Sequence, residues 1–152
     1  MILSGHQPTY LSWCGLFSKI ASADTFAIFD VARFERHGFG NRSTVLTQNG
    51  PLMLTVPVEL EEHFKAKASD VRIAQGQWAR KHVRSIELAY QKAPFFNFYF
   101  PDIRDIIMHR HERLHGLNNA LLQYLLFALG IKTKIVMASD YAPAGNKSGL
   151  VL

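Results

Sequence analysis

Apolar and polar positions fall in short blocks along this chain, and the block lengths predict an α/β fold. Met1-Ile2-Leu3-Ser4 reads as a short apolar strand, expected to be central in its sheet, and Pro8 bars its continuation. Between 11 and 21 the apolar positions 13, 16, 17 and 20 recur at helical spacing. Thr25-Phe26-Ala27-Ile28-Phe29 is a continuous apolar run ending at Asp30, the pattern of a strand buried on both faces of a parallel sheet. Strand, helix and strand within about thirty residues make a βαβ unit. That unit sets Asp30 at a strand's carboxyl end, beside the loop carrying His6, at the edge where open α/β sheets bind ligands.

Further on, 43–47 and 52–58 are extended runs, and Asn49-Gly50 between them is a hairpin signal. The charged stretch 59–68 reads as a loop, and Val71-Arg72-Ile73 as a brief strand. A helix is expected over 77–91, with Trp78, Val83, Ile86 and Tyr90 on one face. Pro94 starts another, in which Pro101 unsettles the first turns. A long helix is expected over 109–129, closed by Gly130 at C′. Ile135-Val136-Met137 is the last strand; 142–149 is loop, and the final three residues are too short for a capping element. The fold expected is a Rossmann-like parallel sheet core starting with a βαβ unit, with a β-hairpin and a helical segment, in a single domain over 1–152.

Composition sharpens this picture. Of 152 residues 48% are hydrophobic and 12% aromatic, enough for a buried core and too apolar for a disordered segment. Seventeen Lys and Arg against twelve Asp and Glu leave a net charge of +5, which favours an anionic partner such as a phosphate, a nucleotide or nucleic acid. The basic residues are scattered, so no polybasic tract is formed. Cys14 is the one cysteine; no internal disulfide can form, as suits a reducing compartment. The start lacks the charged and apolar regions of a signal peptide. The apolar run 120–131 is interrupted by Gln123 and too short to cross a bilayer. The expectation is a cytoplasmic protein without membrane insertion.

Four groups of residues can carry chemistry. His6, Gln7, Tyr10 and Asp30 surround the first strand end: an imidazole can hold phosphate or move a proton near neutral pH, and a carboxylate can orient it. The same residues also suit a plain loop, with His6 bonded to backbone and Asp30 capping a turn. Arg33, Arg36, His37, Asn41 and Arg42 follow the second strand, with Gly38 and Gly40 between them. Arginine forks match phosphate or carboxylate, and glycines let backbone approach a ligand. Neither GxxxxGK[ST] nor GxGxxG is present. Lys81 and His82, with Arg84 nearby, suit a phosphate clamp or a solvated helix face. His111-Glu112-Arg113-Leu114-His115 satisfies HExxH literally, but no third ligand is evident, and no metal site is assigned. Cys14 reads as a small core residue. The aromatics Trp78, Tyr90, Phe95, Phe96, Phe98 and Tyr99 read as core first and base-stacking platform second.

The segments HQPTYLSWCGLFSKIASADTFAIFD, FERHGFGNRS, LTVPVE and WARKHVRSIELAYQKAPFF, in this order and spacing, resemble the WbqC-like protein family. Ser12 stands where that family usually has proline, and Val31-Ala32-Arg33-Phe34 replaces a pattern with a second carboxylate and a glutamine. The resemblance implies that a C-terminal portion is absent after Lys147-Ser148. It implies a transferase of O-antigen or other surface-polysaccharide synthesis, joining a small amino-acid or acyl group to an activated, phosphate-bearing acceptor such as a nucleotide-sugar. Amino-acid transfer to modified phage DNA bases is the alternative, and a non-enzymatic nucleotide- or nucleic-acid-binding module a third. In this frame His6 and Asp30 are catalytic, and Gln7, Tyr10, Arg33, Asn41, Arg42, Lys81 and His82 bind substrate. No cofactor is assigned.

Overall fold

A computed structural model describes residues 1–35, 37–59 and 66–141. The elements are β1 (Leu3–His6), α1 (Cys14–Ala21), β2 (Thr25–Ile28), β3 (Arg42–Thr47), β4 (Gly50–Thr55), α2 (Trp78–Tyr90), α3 (Phe96–Met108), α4 (Leu114–Ala128), β5 (Lys134–Met137) and a 3-10 turn (Ala138–Tyr141). The expected loop at 142–149 and the last three residues lie outside the described residues, as does most of the charged stretch after Glu59.

β1, β2 and β5 form a parallel sheet in the order β1-β2-β5. The βαβ unit is therefore formed as expected, but β2, not β1, is the middle strand. Ile2 and Leu3 are exposed at the sheet edge, so the apolar start did not signal burial. Two crossovers of one hand, stepping the same way across a sheet, put their helices on one face. α1 and α4 accordingly both pack on the face carrying Phe26 and Ile28, through Leu16, Phe17, Ile20, Leu122 and Leu126. On the opposite face the rows Leu3–Thr25–Lys134 and Gly5–Ala27–Val136 are exposed or half-buried. The expected double burial of β2 holds for one face among the described residues.

β3 and β4 form the hairpin in antiparallel register from Arg42↔Thr55 to Thr47↔Gly50. The turn is Gln48-Asn49, and Gly50 takes the positive φ of 100° just after it. Segment 71–73 forms no strand of its own; Val71 and Ile73 exchange backbone bonds with Leu114 and Glu112 instead. That pairing decides where α4 begins. With 112–114 held extended, the helix expected from 109 starts only at Leu114, and His109 to Arg113 stay outside it. Its far end behaves as expected, with Gly130 at φ +67° and Ile131 N–H bonding Leu126 O. α3 accommodates Pro101 within its helical span.

Two apolar clusters result. One joins α1, the sheet and the last half of α4. The other joins Tyr10, Phe34, the hairpin, α2, α3 and the first half of α4. α4 serves both, with Leu117 and Leu121 in one and Leu122 and Leu126 in the other. The loop leaving β1 also crosses the seam, since Tyr10 is buried in the second cluster.

Candidate functional site

The loop after β1 is held by its own chemistry. Pro8 ends the strand, and Pro8, Thr9 and Tyr10 are buried. The Thr9 and Ser12 hydroxyls are 2.6 Å apart, and Tyr10 N–H donates to Phe39 O at 3.1 Å. Ser12 thus supplies a hydrogen bond within the loop. His6 Nδ1–H donates to Gln7 O at 2.9 Å, a pairing that leaves Nε2 of the neutral ring as the acceptor.

An open cleft of about 430 Å³ lies at this strand end, outside the carboxyl ends of β1 and β2. Gly5, His6, Gln7 and Phe29 line one side, and Glu35, Gly38, Phe39 and Gly40 the other. Gly5 is required here, because a Cβ would stand 2.7 Å from Phe29 Cζ and 2.8 Å from Ala27 O. Trp13 packs edge-on to His6 at 5.3 Å and against Phe39 at 6.2 Å, and both Trp13 and Phe39 remain exposed. A ligand in the cleft therefore meets an imidazole, an amide, a carboxylate and the rings of Phe29 and Phe39, the latter in contact with Trp13.

Gln7, Pro8 and Thr9 have a second side. It faces a narrow notch of about 10 Å³, closed by His115, Asn118 and Asn119 of α4 and by Leu16, Ile28 and Leu122. Asn118 is 3% exposed, and its Nδ2–H donates to Gly40 O at 2.8 Å. That bond fixes the amide's orientation. Asn118 Oδ1, Asn119 Oδ1 and His115 Nδ1 are buried and make no hydrogen bond. A buried acceptor without a partner costs about 1–3 kcal/mol, so such a cluster marks either an occupied site or stored strain.

The expected site residues divide. His6 and Gln7 meet in the cleft. Arg33, His37 and Arg42 belong to the segment forming its far wall, Arg33 and His37 exposed and Arg42 half-buried at the start of β3. Arg36 lies outside the described residues. Asp30 is buried, and its two carboxylate oxygens accept from Ser139 N–H at 3.0 Å and Ser139 Oγ–H at 2.6 Å. It clamps the exit of β5 to that of β2; the expected pairing with the imidazole is not among its bonds. Asn41 is buried, donating to Val56 O at 2.9 Å, and so locks the hairpin to the loop. Tyr10 and His82 bond each other inside the core at 2.9 Å, away from the lining of the cleft. Burial raises the Tyr10 phenol and lowers the His82 imidazole to about 4, against a smaller upward pull from the Thr55 carbonyl. Lys81 points outward where His82 points inward, because adjacent helical residues are about 100° apart, so the two form no clamp.

HERLH is not a helical motif here. His111 Nε2–H donates to Ile106 O, Glu112 pairs with Arg72, and of the five only Leu114 and His115 lie in α4. No group of His, Cys, Asp and Glu suited to a metal is found among the described residues. Cys14 is exposed at the start of α1, not a core residue. Of the aromatics expected in the core, Trp78, Tyr90 and Phe96 pack there, while Phe95 and Phe98 face solvent. A shallower depression of about 580 Å³ lies between α3 and α4, away from the strand ends. Sequence reasoning missed Glu35 and Phe39 as cleft residues, and His115, Asn118 and Asn119 as a polar face. The last had a signal: three polar residues at i, i+3 and i+4 on an otherwise apolar helix.

The WbqC-like protein family matches residues 7–152. The chain belongs to the WbqC-like family. It is 31% identical over 147 residues to an uncharacterized protein of Mycobacterium tuberculosis, Rv1507c. That match covers 93% of this chain and 62% of the relative, so the chain spans less than two thirds of that protein's length. No solved structure matches. Among the described residues no helix of this WbqC-like chain is long and apolar enough to cross a membrane.

Proposed function

We propose that this WbqC-like protein is a transferase that joins a small amino-acid or acyl group to a phosphate-bearing acceptor of the nucleotide-sugar kind. The observation that carries this reading is the cleft of about 430 Å³ at the carboxyl ends of β1 and β2, with His6 and Gln7 in its wall. His6, with Nδ1–H given to Gln7 O, offers Nε2 to take a proton from the attacking group. Gln7 can orient the acceptor, and Arg33 and Arg42, at the two ends of the segment that carries the far wall, add positive charge near it that favours phosphate. Asp30 acts at a distance, by clamping the exit of β2, the strand paired with the one that ends in His6, to Ser139.

Amino-acid transfer to DNA bases is the second reading. It is favoured by the exposed Trp13 and Phe39 at the cleft, on which a base can stack, and by the net charge of +5. Thermal-shift titration with UDP-glucose and with short single-stranded DNA separates the two. The expected result is stabilisation by UDP-glucose that is lost in His6→Ala; stabilisation by DNA alone transfers the assignment to the second reading, and no response to either removes both.

A further inference from the structure

We propose that the notch behind the HQP loop is an amine site, seating the ammonium group of a primary amine on Asn118 Oδ1, Asn119 Oδ1 and His115 Nδ1. This rests on the transfer reading above and narrows it: of amino-acid and acyl donors, the notch selects the one bearing a free amino group.

Three observations lead there. The first is the chemistry of the lining. Asn118 Nδ2 is committed to Gly40 O, so its Oδ1 is an acceptor by assignment and not by choice of flip. Asn119 Oδ1 and His115 Nδ1 are likewise buried without a hydrogen bond. An anion is refused by amide oxygens, and a hydrophobic group would leave them unsatisfied. The occupant must donate. The second is number. A water donates two hydrogen bonds, whereas an ammonium donates three, one for each oxygen and one for His115 Nδ1 in the Nε2–H tautomer that the proposal requires. The third is size and surroundings. About 10 Å³ holds one water-sized group, which an ammonium head is, and Leu16, Ile28 and Leu122 complete the wall. Gln7, Pro8 and Thr9 separate this notch from the cleft that holds His6, so an amine seated here lies directly behind the loop bearing the candidate base.

Asn119 is the residue to change, since Asn118 also carries the bond to Gly40. The probes are ethylamine, L-alanine and propionate, followed by NMR shifts of the wild-type chain, Asn119→Leu and Asn119→Asp. Ethylamine and L-alanine are expected to shift resonances of His115 and Asn118, with propionate silent. Asn119→Leu abolishes the response, and Asn119→Asp, which adds a charge facing the ammonium, tightens it about tenfold. An equal response to propionate, no response to the amines, as from a notch holding only water, or an unchanged response in Asn119→Leu overturns the proposal. UDP-glucose is titrated in the same samples. Its response reports the cleft alone, so a wild-type chain that answers UDP-glucose but not the amines fails the notch and leaves the transferase reading standing, and one that answers the amines but not UDP-glucose does the opposite.

Discussion

At the scale of single residues, some buried polar groups have fixed partners and others do not. Asp30 is the clearest case. Its carboxylate satisfies a backbone N–H and a hydroxyl of Ser139, 109 positions away. Asp30→Ala strands both donors, and urea unfolding is expected to record a loss of about 2–3 kcal/mol, against about 1 kcal/mol for Ser139→Ala, which removes one hydroxyl bond. His82 gives a pH signature. Burial lowers its folded pKa to about 4, below the unfolded value of 6.5, so the unfolded chain takes up the proton first on acidification. The stability tied to a neutral His82 is complete above pH 6.5 and is lost as pH falls toward 4, by on the order of 3 kcal/mol. His111, also lowered chiefly by burial, adds a contribution of the same sign. A series of urea melts between pH 7 and 4 should show this slope, and His82→Gln should flatten it more than His111→Gln does. His6 and Gln7 were legible in the sequence because the Pro8 stop puts them at a strand end whatever else happens. Tyr10 with His82 was not, because a pair 72 residues apart is made by packing and leaves no local pattern.

At the scale of elements, periodicity located the helices and strands, and competition between neighbours set their ends. The apolar run 25–29 reads as buried on both sides, yet only Phe26 and Ile28 enter the core, because both crossover helices lie on their face. Phe26→Ala is therefore expected to cost about 3–5 kcal/mol in urea unfolding. Leu3→Ala, on the exposed edge, should stay within about 0.5 kcal/mol. Equal costs at the two positions would mean that the far face is also covered. Gly5 tests the close approach of β1 and Phe29. The Cβ of Gly5→Ala meets a ring carbon and a backbone oxygen within 3 Å, and a loss of about 1–3 kcal/mol is expected, with a changed cleft. The start of α4 was beyond reach of periodicity. Residues 109–113 have helical composition, but 112–114 pair in extended form with 71–73, and those backbone bonds outweigh a weak local preference. This same pairing dissolves the HExxH reading.

At the scale of the whole molecule, the sheet steps in one direction from β1 to β5, and the edge of β1 stands beside the cleft. The net charge of +5 acts at this scale too. A nucleotide-sized ligand in the cleft makes few phosphate contacts, so its affinity should fall shallowly with salt. A DNA strand that runs past the cleft and contacts several of the chain's scattered basic residues should lose affinity steeply. Fluorescence titrations of UDP-glucose and of DNA at several salt concentrations measure both slopes, and a steep slope for UDP-glucose would contradict a local cleft. Sequence alone determined the βαβ start, the hairpin, the parallel sheet and the family, because each is written in near neighbours: period, turn residues and consecutive motifs. Only tertiary structure decided that β1 is an edge, that Asp30 serves Ser139, that Tyr10 and His82 are core, and that His115, Asn118 and Asn119 converge behind the HQP loop. Those facts depend on which distant segments exclude water from one another, and a linear pattern of apolar and polar residues does not record that choice.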